Sequence, residues 1–201
     1  MIHDLLSSVD SYLRLVFVRH SQDSGTIDGD VVRELSDIGI IQAEKCALFL
    51  KPYFFDQLYT SDHLRAQQTM GIIDLSLERE VIVTRKLREV SPFYAMGEIE
   101  LTGGEGQPVK DFLKALVKNS HEEGSIILAV GHYHLIRYIL SLRSISDESL
   151  TRRTLSELTE EGLVEKGTTN VAIANTSLNV IDITKSGLVI PRLINYTDHL
   201  N

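Results

Sequence analysis

One cysteine, no tryptophan and only four prolines occur in the 201 residues of this chain. A single cysteine excludes an intramolecular disulfide. Cys46 lies beside the apolar face Ile40, Ala43, Ala47 and Leu50, so it reads as a core residue. No apolar run approaches the roughly 20 residues needed to cross a bilayer. Residues 1–11 carry Asp4 and Asp10 and lack the basic start and apolar stretch of a signal peptide, so a cytoplasmic protein without a membrane partner is expected. Positive charge is also scarce. The 20 Lys and Arg against 28 Asp and Glu leave a formal charge of −8. That balance argues against a nucleic-acid partner. It leaves small anions open, because a few arginines can dominate locally.

The hydrophobic content of 43% is ordinary for a globular protein and sufficient for one sizeable core. No repeat or domain boundary is evident, so residues 1–201 read as a single domain. Leu13–Val18 reads as a buried strand, followed by a Ser-, Asp- and Gly-rich loop over Ser21–Asp30. Ser36 is placed to cap a helix that ends before Pro52. Gln57–Thr60 is a second strand. Asp62 is placed to cap a helix with Ala66, Met70, Ile73 and Leu77 on its inner face. Val81–Val83 is a third strand, and Val109, Phe112, Leu113, Leu116 and Val117 mark another helix. Ser125–Val130 is the clearest strand, with a helical pattern at Leu135, Ile136, Ile139 and Leu140 beyond it. The polar stretch Arg143–Thr169 shows a weak helix at Leu150, Leu155 and Leu158. The tail reads as hairpins built from Asn170–Ala174, Leu178–Ile183 and Leu188–Ile194. This alternation predicts an α/β fold: a three-layer α/β/α sandwich, its sheet mostly parallel with an antiparallel edge strand.

In such sheets ligands bind beyond the carboxyl ends of the strands. His20, Ser61 and His132 each follow a strand, which gathers them at one edge. Arg19 offers a planar fork of donors for an oxyanion, and His20 an imidazole able to attack phosphorus. Arg65 falls in a first helical turn, where free backbone N–H groups favour an anion. The competing reading is a solvated surface arginine. His63 reads as a flanking or surface residue. Gly131 would let the backbone pass close to a ligand, and His132 would donate to a phosphoryl group or serve as a structural histidine. Glu89 could protonate a leaving oxygen if burial raised its pKa, or could pair with Arg88 or Arg85 in a loop. A metal site at His20, His132 and His134 lacks diagnostic spacing and a clear carboxylate, so no metal is expected.

Taken in order, these segments resemble the histidine phosphatase superfamily, the phosphoglycerate-mutase-like proteins. Leu15-Val16-Phe17-Val18-Arg19-His20 is similar to the family's first strand and Arg-His pair. Leu35-Ser36-Asp37-Ile38-Gly39-Ile40-Ile41-Gln42-Ala43 resembles its "L-[ST]-x-x-G-x-x-Q-A" helix start. Tyr59-Thr60-Ser61-Asp62-His63-Leu64-Arg65-Ala66-Gln67-Gln68-Thr69 resembles its "Y-[TS]-S-x-x-x-R-A-x-x-T" segment. Leu87-Arg88-Glu89, Val130-Gly131-His132 and Asn175-Thr176-Ser177 follow. The resemblance implies that His20 is transiently phosphorylated and that Glu89 is the proton donor. Arg19, Arg65 and His132 would bind the phosphoryl group, with Ser21 and Gln22 beside the substrate and no cofactor or metal required. The chain departs from the family at Ser21, where glycine is usual, and at Asp23, where Ser or Thr is common. Tyr133 and His134 replace small residues.

The resemblance implies a phosphomonoesterase acting on a small phosphorylated substrate, with a phosphoprotein as a further candidate. A mutase of the same family is the first alternative. The absence of tryptophan and of a long insertion between Glu89 and His132 weighs against it. A catalytically weak phosphate-binding regulatory protein is the second. A homodimer is compatible with the sequence, which does not set the oligomeric state.

Overall fold

A computed structural model describes residues 2–7, 12–25, 32–77, 79–90, 106–120, 123–147, 152–166 and 171–201. Strand β1 (Leu13–Arg19) lies inside the sheet and is buried on both faces, as its composition requires. Arg14 interrupts the apolar run and is nonetheless 3% exposed. It survives there because Asp182 lies directly opposite on the neighbouring strand and takes a bidentate pair of bonds, 2.6 and 2.8 Å long. A buried guanidinium is tolerable only when so paired.

The remaining strands are β2 (Gln57–Ser61), β3 (Val81–Thr84), β4 (Ser125–Gly131), β5 (Leu178–Ile183) and β6 (Val189–Tyr196). They form one six-stranded sheet in the order β3-β2-β4-β1-β5-β6. The first four in that order are mutually parallel. The antiparallel strand is β5, one place in from the edge, with β6 paired antiparallel to it.

Among the described residues, six helices cover the sheet: α1 (Ile2–Ser7), α2 (Asp37–Leu50), α3 (Leu64–Leu77), α4 (Gln107–Asn119), α5 (Tyr133–Ser141) and α6 (Leu155–Glu160). Alternation along β1 sorts them into two layers. Leu13, Leu15 and Phe17 pack with Val109, Phe112 and Leu113 of α4, Leu135 and Ile139 of α5, and Leu158 of α6. Val16 and Val18 face Leu6 of α1, Cys46 and Leu50 of α2, and Met70 and Ile73 of α3. The result is the expected three-layer α/β/α arrangement.

Local details depart from the sequence reading. Ser36 does cap α2, its Oγ accepting from Gly39 N at 3.1 Å. Ile40, however, is 41% exposed, and the buried face runs through Gly39, Ala43, Cys46, Ala47 and Leu50. Asp62 does not cap α3. Its carboxylate takes two bonds from Arg88, of 2.7 and 2.6 Å, while Ala66 N and Gln67 N close on His63 O. Val171–Ala174 forms no strand, although Val171 and Ile173 are buried. Only the last two tail segments form a hairpin. The helix in the Arg143–Thr169 stretch is α6, closed by a capping box between Thr154 and Glu157. Leu150 and Asn170 lie outside the described residues.

Candidate active site

The carboxyl ends of β1, β2 and β4 converge on one polar cluster. His20 leaves β1 with its N–H bonded to Gly131 O of β4 at 2.8 Å. On the other side Thr176 N donates to Arg19 O at 3.0 Å, and Asn175 Nδ2 to His20 O at 2.9 Å. Thr176 holds a left-handed backbone, φ 62°, to make this turn. A β-branched residue tolerates that conformation only where surrounding bonds fix it.

The His20 tautomer follows from its partners. Nδ1 lies 2.8 Å from Ser21 O, and a carbonyl only accepts, so Nδ1 carries the proton. Nε2 is left with its lone pair, which accepts from Arg65 Nε at 3.1 Å. Burial, with Arg65 and Arg19 nearby, pushes the imidazole down to about 3. His20 is therefore neutral, with an unprotonated nitrogen aimed into the cluster.

Arg65 is 2% exposed, which removes the reading as a surface arginine. It lies at the start of α3, and its Nη2 faces His132 Nδ1 at 3.3 Å. Since guanidinium only donates, His132 Nδ1 accepts and its Nε2 donates to Ser61 Oγ at 2.9 Å. His132 is fully buried, and desolvation, with His20 and Arg65 beside it, holds its pKa well below the ordinary value. The rings of His20 and His132 lie 5.3 Å apart. His63 is not at the surface: it is buried edge-on against His132, with ring centroids 4.7 Å apart.

Arg19 donates through Nη1 to Ile173 O at 2.7 Å and lies over the Tyr133 ring at 5.1 Å. Its Nε is buried with no hydrogen-bond partner among the described residues. An unpaired buried donor of this kind is costly unless a ligand or water takes it. Glu89 follows the short 3₁₀ turn Arg85–Leu87 and reaches the amino end of α5, its Oε1 accepting from Leu135 N at 3.0 Å and Val90 N at 3.2 Å. Burial raises its pKa despite those backbone donors. Arg88 is committed to Asp62, so the loop-pair reading of Glu89 does not hold.

The two other sequence candidates face elsewhere. Ser21 is fully buried, its hydroxyl accepting from Thr176 Oγ1 at 3.1 Å. Gln22 is exposed, and its Oε1 accepts from Ser36 Oγ at 3.3 Å. Gly131 serves packing: a Cβ there would stand 2.7 Å from Phe17 Cε1. Sequence reasoning missed Thr69, whose Oγ1 accepts from Ser21 N at 3.0 Å and donates to Arg65 O at 2.7 Å. Its spacing of four from Arg65 on one helix was the available signal. Asn175 was matched without a role, and its bond to His20 O supplies one. Among the described residues, no three of His, Cys, Asp and Glu are grouped to hold a metal ion, His134 included.

The model of the histidine phosphatase superfamily (branch 1) matches residues 15–100, which include Arg19, His20, Arg65 and Glu89. The structure of the protein histidine phosphatase SixA complexed with tungstate superposes with a TM-score of 0.64 at 16% identity, covering 94% of this chain and 99% of that one. Residues 15–100 are thus similar to the histidine phosphatase superfamily, and the chain shares the fold of that solved structure. Two further solved structures share the fold. A mycobacterial glucosyl-3-phosphoglycerate phosphatase in complex with VO3 gives a TM-score of 0.66 at 18% identity, over 92% of this chain and 99% of that one. A phosphoserine phosphatase variant from Entamoeba histolytica in complex with phosphoserine gives 0.64 at 17% identity, over 94% of this chain and all (100%) of that one. No curated protein matches the sequence. The similarity in structure fixes the fold, and the chain's own residues must carry the chemistry.

Proposed function

We propose that this protein is a metal-independent phosphomonoesterase that works through a phosphohistidine on His20. One observation carries the reading. The Nδ1 proton of His20 is committed to Ser21 O, so Nε2 presents a lone pair beside the Arg65 guanidinium. An arriving phosphoryl oxygen would take over the Arg65 Nε–H and release that lone pair for attack on phosphorus. Arg65, together with the unpartnered Nε of Arg19, would hold charge on the phosphoryl oxygens. Glu89, whose burial favours the protonated form, would give its proton to the leaving oxygen as the P–O bond breaks. As a carboxylate it would then take a proton from water attacking the phosphohistidine.

The site set proposed is His20, Arg19, Arg65, His132 and Glu89. His132 acts by donating to Ser61 and holding Arg65 in line. The substrate is a small phosphate ester or a phosphoprotein, met in the cytoplasm. The same chain acts as one domain. The test is hydrolysis of a nitrophenyl phosphate and of a panel of metabolite phosphates in excess EDTA, with acid-labile phosphate sought on His20. Turnover that vanishes with EDTA and returns with a divalent ion would refute the metal-independent scheme. Isomerisation of 3-phosphoglycerate without net hydrolysis would identify a mutase instead.

A further inference from the structure

Asp23 puts a carboxylate against the phosphate-binding arginine. Its Oδ2 lies 3.6 Å from Arg65 Nε, the same nitrogen that donates to His20. The backbone holds it there. Asp23 bridges Leu35, Ser24 N donates to Glu34 O, and Ser36 N donates to Gln22 O, so the segment is pinned to the start of α2. The side chain is 15% exposed, and its Oδ1 accepts from Gly25 N at 3.1 Å. The charged and titratable groups around it are Arg65 from α3, Arg19 and His20 from the end of β1, and Arg33 at 3.4 Å. Arg33 is 31% exposed, so water screens it far more than it screens Arg65.

A phosphoryl oxygen that takes the Arg65 Nε–H must settle beside Asp23. An ionised carboxylate accepts hydrogen bonds and offers none. A fully ionised phosphoryl oxygen is likewise only an acceptor, and the two charges repel. His20 and His132 add no compensating charge, since burial keeps both imidazoles neutral. The conflict disappears when the phosphoryl oxygen carries a proton. Its O–H then donates to Asp23 in a charge-assisted bond. Phosphate monoesters have such a form within reach, because their second ionisation falls near pH ~6.

Resting on the phosphomonoesterase reading, we infer that Asp23 is a specificity-determining residue that accepts a hydrogen bond from a protonated phosphoryl oxygen. The site thereby takes phosphate monoanions and discriminates against tetrahedral oxyanions that have no proton to give.

Inorganic phosphate and sulfate test this directly, because they share shape and differ in the proton. Each is titrated as a ligand of the full chain by calorimetry, and as a competitive inhibitor, at about pH 6 and about pH 8. The wild type should prefer phosphate over sulfate by about tenfold or more at the lower pH, the loss expected when a carboxylate is left facing an acceptor. Its phosphate affinity should fall as the pH rises. Asp23→Asn and Asp23→Ser, checked for native circular dichroism, should bind sulfate nearly as well as phosphate and lose most of that pH dependence. Any contribution from Glu89 is common to all three proteins and cancels in the comparison. A wild type that hydrolyses phosphate esters but binds sulfate equally well would overturn the role of Asp23 and leave the phosphatase standing. So would variants that keep the preference. A wild type that neither binds phosphate nor hydrolyses esters would overturn both.

Discussion

Arg65 Nε donates to His20 Nε2 across 3.1 Å, so the electron pair assigned to attack is held by the guanidinium assigned to bind phosphate. On the proposed mechanism, ligand binding and nucleophile release are one exchange of a hydrogen bond. Because the same contact and the surrounding burial keep His20 neutral down to about 3, protonation of the nucleophile should not limit the enzyme at mildly acid pH. We expect kcat/KM, which reports the free enzyme, to hold level or rise from pH ~7 to pH ~5. A fall centred near the ordinary histidine value of ~6.5 would contradict the tautomer described. His20→Ala should abolish acid-labile phosphate incorporation and reduce turnover by on the order of 10⁴ or more.

Glu89→Gln keeps the shape of the side chain and removes its transferable proton. Alkyl phosphates, with poor leaving groups, should slow by roughly 10²–10⁴ and nitrophenyl phosphate much less. Burial raises the carboxyl pKa, and the acid form is the one the proposed mechanism uses. The wild-type rate should therefore fall as pH rises through that raised value, and the variant should lack this fall. Equal slowing of both substrates would instead make Glu89 a residue that positions the amino end of α5.

Asp182 supports the sheet. It is fully buried and joins Arg14 and, at 2.7 Å, Arg192. Burial alone would raise its pKa, but the two guanidinium groups outweigh it and hold the carboxyl below the usual value. A depressed folded-state pKa contributes stability above the unfolded value of ~3.9, lost as pH falls through the folded value. Asp182→Asn should cost about 3–5 kcal/mol in urea unfolding near neutral pH, since it strands Arg14. The variant should also lose less stability than wild type on acidification. Unchanged stability would show that the pair contributes nothing net.

Gly39 provides a test of packing near the site. A Cβ at this position would stand 2.0 Å from Gln22 O, a backbone atom that cannot move aside cheaply. Gly39→Ala should destabilise the protein by about 1–3 kcal/mol and lower kcat/KM by displacing the segment that carries Asp23. Gly71→Ala, with nothing within 4 Å of the added Cβ, is the matched control and should leave stability unchanged or slightly higher.

The sheet and its helices were legible because burial imposes period on sequence. The apolar stretches of β1 and β4 and the inner face of α3 were correctly read from composition alone. The failures have distinct causes. Ile40 matched helical spacing, yet the close approach of Gln22 to Gly39 rotates the buried face toward Ala43 and Cys46. Asp62 looked like a cap because propensity says nothing of a distant Arg88. Val171 and Ile173 are apolar for packing, while the backbone there serves Arg19 instead of a ladder. In the site, residue types at strand ends pointed to His20, Arg65 and His132. The roles of Thr69, Asn175 and the buried His63 depend on contacts between segments far apart in sequence, which no local pattern encodes.

The placement of β1 between a parallel and an antiparallel neighbour has a consequence for how the molecule breathes. The amide of His20 is tied to Gly131 on one side, and the carbonyls of Arg19 and His20 are tied to Thr176 and Asn175 on the other. Amide exchange at His20 therefore requires parting the middle of the sheet and should report the free energy of global opening, where loop amides report only local fraying. The histidine proposed as nucleophile is then carried on the last segment to loosen. On the proposed mechanism, the frame that aims the nucleophile is therefore the sheet itself and not a surface loop.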